Sequence, residues 1–232
     1  MKIMTFNIQH CENYLTQKID YNAMADVIKK CGAEIVGLNE IRSKGNDPEF
    51  QDQAAALSEL TGLKSFYFAK AIDIGDNNPY GNAILSKFNI KSAETIMIPD
   101  PEPKTGDDYY ETRCILKVKF DNSLTVMVVH FGLNKDEQEN AVDAIMKNLE
   151  DEKCILMGDF NALPDNTVLT PIREKMKDAA DCFERDLFSF PSDNPNIKID
   201  YIFVTPDIEV TEADIPEFVV SDHRPHTATV LF

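Results

Sequence analysis

The sequence predicts an α/β fold in which two stacked β-sheets are flanked by helices. Strand-like and helix-like periods alternate through the first third of the 232-residue chain, and from residue 65 onward strand-like runs outnumber helical ones. So many strands exceed what a simple doubly wound sheet holds, while the remaining helical stripes need sheet faces to cover. No linker rich in Gly, Ser or Pro, no low-complexity tract and no short-period repeat interrupts the chain, so residues 1–232 read as a single domain.

Residues 2–8 form the first expected strand. Asp20 then caps a helix whose apolar face is Tyr21, Met24, Ile28 and Cys31, and Gly32 stops it. Residues 35–38 make a short apolar strand. After a polar loop, a second helix carries Phe50, Ala54, Leu57 and Leu60 on one side and ends at Gly62. Strands follow at 65–69, 82–86, 93–98, 113–120 and 124–130, the last two joined as a hairpin around Asp121-Asn122. Asn134 with Glu137 three residues later reads as a capping box, opening a helix with the stripe Val142, Ile145, Met146 and Leu149. A strand at 154–157, a weaker helix at 171–176 and strands at 197–204 and 227–232 complete the series. The Pro- and acid-rich stretch 99–108 reads as one surface loop.

Forty acidic residues against 23 Lys and Arg give a net charge of −17 and a pI of about 4.5. Such a surface repels polyanions unless a local basic patch overrides it, which disfavours stable binding of duplex nucleic acid. An apolar fraction of 43% with 9% aromatics excludes a disordered chain. The apolar run at the N-terminus is too short for a signal peptide, and no segment approaches the roughly 18 continuous apolar residues of a spanning helix. A soluble, cytoplasmic protein with no transmembrane segment is therefore the expectation. The five cysteines are scattered and odd in number, so they read as reduced, mostly buried thiols.

Polar groups recur where apolar strands end. Asn7 ends Ile-Met-Thr-Phe, Glu40 closes Ile-Val-Gly-Leu-Asn-Glu and His130 closes Val-Met-Val-Val-His. Asp159 and Asn161 follow Ile-Leu-Met-Gly, and Asp222-His223 precedes the final strand. Asn7 or Asn161 alone would be an ordinary loop residue. Asp200, between Ile199 and Tyr201, is different, because an unpaired buried carboxylate costs several kcal/mol; it requires a partner, and His223 is the candidate. Glu40, Asp159 and Asp222, with the amide oxygens of Asn7 and Asn161, suit a hard cation such as Mg²⁺, which takes oxygen ligands and few carboxylates. Zinc spacing, a Gly-x-Ser-x-Gly elbow and a Gly-rich phosphate loop are all missing from the sequence.

Taken together, Thr5-Phe6-Asn7-Ile8, Leu38-Asn39-Glu40, the segment 81–86, Val129-His130-Phe131, Gly158-Asp159-Phe160-Asn161, Ile199-Asp200-Tyr201 and Ser221-Asp222-His223 resemble the endonuclease/exonuclease/phosphatase superfamily, in that family's order. The resemblance implies a four-layer α-β-β-α sandwich of two packed mixed β-sheets and metal-dependent phosphoester hydrolysis with Mg²⁺ or Mn²⁺. It implies Glu40 as principal metal ligand with Asn7 and Asp222 beside the same ion. Asp159 and Asn161 would position or activate water, and His223, supported by Asp200, would sit against the phosphate. His130 matches a phosphate-contacting histidine of the sphingomyelinase and deoxyribonuclease branches, and Arg113 a phosphate-contacting arginine; on the residues alone Arg113 could equally pair with Glu111. Either Asp159 or the Asp200-His223 pair could accept the water's proton.

Within such a fold, loops choose the substrate. The acidic loop 99–108 and the absence of Trp favour a small or lipid-like phosphoester, and the loop 186–196 could present Phe188 or Phe190 to it. An apurinic or general endonuclease is the alternative, and it requires Arg42, Lys44, Lys198 and Arg224 to form a local patch. An inert binding module of the same fold predicts gaps in the catalytic set, and the sequence has none.

Overall fold

The computed structural model describes residues 1–183 and 187–232. The chain runs through strand β1 (Lys2–Asn7), a 3₁₀ turn at Gln9–Cys11, a small hairpin of β2 (Glu12–Asn13) and β3 (Lys18–Ile19), and helix α1 (Tyr21–Cys31). Strand β4 (Ile35–Arg42) and helix α2 (Gln53–Thr61) precede β5 (Ser65–Asp73), β6 (Pro79–Ser86) and β7 (Ile90–Met97). Then come β8 (Cys114–Phe120), β9 (Thr125–His130), helix α3 (Lys135–Asn148) and β10 (Cys154–Asp159). A single turn α4 (Thr170–Arg173), β11 (Lys177–Asp178), β12 (Asp200–Val204), β13 (Glu209–Asp214) and β14 (His226–Leu231) finish it.

These strands form two six-stranded mixed sheets, in the orders β13-β14-β1-β4-β6-β5 and β11-β12-β10-β9-β8-β7. Each sheet holds one parallel pair, β1 with β4 and β9 with β10, flanked by antiparallel neighbours. A parallel pair needs a crossover, supplied by α1 in the first sheet and α3 in the second. Side-chain alternation divides each central strand between two cores. In β10, Ile155 and Met157 pack between the sheets while Cys154 and Leu156 pack toward α3. In β1 and β4, Ile3 and Ile35 face the opposite sheet while Met4, Phe6, Val36 and Leu38 pack with α1 and α2. Three cores between four layers follow, which is the α-β-β-α sandwich.

The helices start where their caps stand. Asp20 accepts from Ala23 N at 2.9 Å and Gly32 takes φ 67° at the end of α1. At α3, Asn134 N donates to Glu137 Oε2 at 3.2 Å, completing the capping box. The second helix begins later than its apolar spacing predicts: Asp52 caps it by accepting from Ala55 N, so Phe50 precedes it, and Leu60 is exposed. The weak helix at 171–176 is one turn, Thr170–Arg173, and the strand at 197–204 begins at Asp200. The hairpin β2–β3 and edge strand β13 were not legible, because neither carries an apolar alternation; β13 reads Glu-Val-Thr-Glu-Ala-Asp.

The loop 99–108 is exposed but tied to α3: Thr105 N donates to Asp136 Oδ2 at 2.8 Å and Asp108 N to Asn134 Oδ1 at 2.9 Å. All five cysteines are free, with Cys182 exposed and the others buried. No helix among the described residues is long and apolar enough to cross a membrane.

Gly158, just before Asp159, has φ 150°, and a Cβ there would collide with the Val129 carbonyl oxygen of the neighbouring strand. Backbone against backbone leaves no flexible group to yield. Gly158→Ala is expected to lower unfolding free energy by roughly 2 kcal/mol or more in urea titration; an unchanged midpoint would contradict this account of the strand.

Candidate active site

The alternation that fills the central core with Ile, Val and Met also aims a set of polar side chains into it at one end. Asn7, Asn39, Asn82, His130, Asp159 and Asp200 share strand faces with Ile3, Ile35, Ile84, Val128, Met157 and Ile202 of the inter-sheet core. Register brings them level: Asn7 opposes Asn39 across β1 and β4, and Asp159 opposes both His130 and Asp200. All six are almost fully buried. They sit where the C-terminal ends of both parallel pairs meet; the bulge of β4 adds Glu40, the loop after β10 adds Asn161, and the segment leading into β14 adds Asp222 and His223.

Asn39 stitches the sheets together there. Its Nδ2 donates to Asn82 Oδ1 and to Val129 O, both at 2.8 Å, and its Oδ1 accepts from Asp159 N at 3.0 Å. Asn82 Nδ2 reaches Cys114 O at 2.9 Å in the opposite sheet. The sequence reading gave Asn39 and Asn82 no role, although a polar residue at core parity in an apolar strand is the same signal that marked Asp200.

Asn7 Nδ2 donates to Glu40 Oε1 and to Asp159 Oδ2, each at 3.1 Å, while its Oδ1 accepts from Gln9 N. Glu40 sits at a bulge in β4 with φ 58°, which turns its carboxylate out of the strand's alternation toward Asn7. Asp159 Oδ1 accepts from Asn161 N at 2.9 Å, and its Oδ2 lies 3.5 Å from the Nε2 atoms of both His130 and His223. Asp200 does have the expected partner: its Oδ2 lies 2.8 Å from His223 Nδ1. Phe190 packs on the His223 ring at 4.8 Å, whereas Phe188 of the same loop is exposed; Asp186 lies outside the described residues.

Eight of the nine candidate residues thus converge: Asn7, Glu40, His130, Asp159, Asn161, Asp200, Asp222 and His223. Arg113 stands behind them. Its side chain is only 13% exposed, it pairs with Glu111, and its Nη1 lies 3.1 Å from His130 Nδ1. Tyr80 is a buried residue of β6 under the Arg42 guanidinium, which lies 5.1 Å from its ring centre. His226 is buried beneath the site, its Nδ1 3.3 Å from Asp200 O.

The profile of the Endonuclease/Exonuclease/phosphatase family matches residues 4–223, nearly the whole described sandwich and every residue of this cluster. The chain belongs to that family. Family members are phosphoesterases, generally dependent on a divalent metal. No curated protein sequence matches the chain. Among solved structures, it is similar to an endonuclease/exonuclease/phosphatase from Beutenbergia cavernae DSM 12333, with a TM-score of 0.80 and 20% identity over 99% of this chain and 71% of that one. It is also similar to a mannosyl-6-phosphatase of Bacteroides thetaiotaomicron VPI-5482, with a TM-score of 0.75 and 17% identity over all of both chains. The human Nocturnin catalytic domain gives a TM-score of 0.68 at 15% identity, over 100% of this chain and 94% of that one. At these identities the likeness is one of fold.

Electrostatics in this family member separate its titratable groups. Burial alone would depress the His223 imidazole, but Asp200 and then Asp159 outweigh it and hold its pKa up at about 10. Burial raises the Asp159 carboxyl to about 7, with Asp200 adding to the rise and His223 opposing it. Burial, then the charges of Arg113 and His223, push His130 well below the usual imidazole range. Asp222 is raised by burial, and Glu40 adds to the rise, so these two carboxylates bear on each other across the site. Asp159, Asp200 and His223 also form a group whose ligand atoms lie within 4.8 Å of one another, a composition able to hold a metal.

A histidine whose folded pKa exceeds its unfolded 6.5 contributes stability that is fully present below pH 6.5 and disappears as pH rises through about 10. Asp200→Asn is therefore expected to cost roughly 3 kcal/mol at pH 6, with the gap to wild type closing between pH 6.5 and about 10. Paired urea titrations with chelator present check it; a gap that widens with pH would refute the assignment.

Proposed function

We propose that this chain hydrolyses a phosphoester with Mg²⁺ or Mn²⁺, by in-line attack of an activated water, on a small or lipid-like substrate rather than duplex DNA, and that residues 1–232 act as one domain. The observation that carries the reading is the buried Asp200–His223 pair set against Asp159 at the seam of the two sheets. A buried ion pair of this kind adds little to net stability, so its place at the site argues for chemistry.

The donor set fits a hard cation. Glu40 accepts one hydrogen bond, from Asn7, and it bears on Asp222 with like charge; a divalent ion held by Glu40, Asp222 and Asn7 would relieve that repulsion. When bound, the ion supplies Lewis acidity toward the phosphate oxygens. The protein's own groups divide the remaining work. His223 is held protonated across neutral pH and cannot accept a proton there, so it donates to a phosphate oxygen. Asp159, with a pKa of about 7, accepts the proton of the attacking water, and its hydrogen bond from Asn161 N fixes its orientation. His130 and Asn161 complete the wall that faces the phosphate.

Charge and surface favour the small or lipid-like substrate. Of the cations that a nucleic-acid patch would need, Lys198 is 5% exposed and pairs with Asp178, Arg224 Nε is spent on Ser192 O, and Arg42 stacks on Phe50 and Tyr80. Exposed Leu15, Tyr109, Leu133, Leu163 and Phe188 lie instead on the loops that leave the site end of the strands.

Purified protein with Mg²⁺ or Mn²⁺, offered a chromogenic phosphodiester, a monoester, sphingomyelin and abasic DNA, is expected to turn over one of the first three. Glu40→Gln, and separately His223→Ala, should each lower the rate by about 10²- to 10⁴-fold. Equal turnover in chelator, or an unaffected Glu40→Gln variant, would sink the mechanism. Abasic DNA as the preferred substrate, with binding that weakens steeply with salt, would establish an endonuclease instead.

A further inference from the structure

Arg113 is buried beside a site that would use a cation for phosphate, yet it is turned away from that use. Its guanidinium pairs with Glu111, with the Tyr80 phenol beside it. Its Nη1 also lies 3.1 Å from His130 Nδ1. The backbone around it is fixed as well: Glu111 N donates to Glu137 Oε1 at 3.1 Å, tying the approach to β8 onto the capping box of α3.

A guanidinium donates hydrogen bonds and accepts none, and it stays protonated in proteins. Its partner nitrogen must therefore present a lone pair. We infer that Arg113 is a positioning residue that locks His130 in the Nε2–H tautomer, so that the ring presents an N–H donor, without net charge, to the phosphate oxygen of the substrate. This rests on the reading above only in taking His130 to border the phosphate. On the far side of the ring, Nε2 lies 3.5 Å from Asp159 Oδ2, an acceptor suited to an N–H. Asn161 Nδ2 also approaches Nε2, at 3.3 Å; one of its two hydrogens goes to Phe131 O at 3.1 Å and the other faces the ring over a longer contact than that of Arg113. Of the two donors beside the ring, Arg113 is the nearer and has no acceptor face to offer, so it decides the tautomer. The opposite tautomer would aim a lone pair at an anionic oxygen and an N–H at the guanidinium.

The tautomer can be observed directly. Histidine-labelled protein (¹⁵N) is examined by two-bond ¹H–¹⁵N correlation, with the His130 pattern assigned by its loss in His130→Gln. Wild type is expected to show His130 with a bare Nδ1 and a protonated Nε2. Arg113→Met should release the ring to a mixture or to the Nδ1–H form while the His223 signals persist, which reports a folded site. In the same variant kcat should fall roughly 10²-fold, the loss of one positioned donor, with KM little changed, whereas an arginine that contacts phosphate would raise KM. An Nδ1–H wild-type ring overturns the inference even if Arg113→Met fails to fold, and so does an unaltered Nε2–H ring in a folded Arg113→Met. Because the tautomer is read without turnover, a correct tautomer in an inactive protein would fail the proposed function and leave this inference standing.

Discussion

The side-chain amide of Asn39 spans the seam between the two sheets, and the geometry of the site follows from that span. A polar group at core parity is costly unless every donor and acceptor is met. Here the amide's two donors and its acceptor are matched by Asn82, the Val129 carbonyl and the Asp159 amide, in strands of both sheets. Those bonds fix the height of β10 relative to β4, and so the height of Asp159 relative to Glu40 and Asn7. Nearby, Gly37 lets the sheets approach: a Cβ there would come within 2.9 Å of Met157 Cε and Val128 Cγ2. Close apposition and a satisfied polar seam are two sides of one arrangement.

Much of this was legible in the sequence where local physics decides. Asp20, Gly32, Asn134 and Glu137 act on backbone a few residues away, and each behaves as its type predicts. Asp200 was legible for a different reason: a charge in so apolar a strand demands a partner, and His223 supplies it. Phe50 misled because its spacing fits the stripe of α2, yet the helix starts where Asp52 can accept a backbone hydrogen bond. Strand β13 was silent since most of this edge strand is exposed and a bulge between Val210 and Glu212 breaks its alternation. Of the setting of Arg113 only the pair with Glu111, its near neighbour in sequence, was legible, because Tyr80 and His130 come to it from other strands.

Charge works at two scales in this molecule. Over the surface, a net charge of −17 sets up a negative field. Within the site, burial and neighbouring charges raise the Asp159 and Asp222 carboxyls, hold His223 up and push His130 down, which lets neighbouring groups take different roles. The surface charge leaves that local pattern intact because the site groups are buried and see each other more strongly than they see solvent.

The order of strands has a consequence for how the protein comes into being. Strand β14 lies between β13 and β1, so the first sheet is completed by the last strand described, pairing with the first. Ser221 Oγ, just ahead of it, donates to Asn7 O across 214 positions of sequence. A ribosome making this chain releases Asn7 and Glu40 well before His223. Until His223 and β14 have emerged, the growing polypeptide holds only part of the clustered residues, and the pairing of β14 with β1 brings the two parts together in one long-range step.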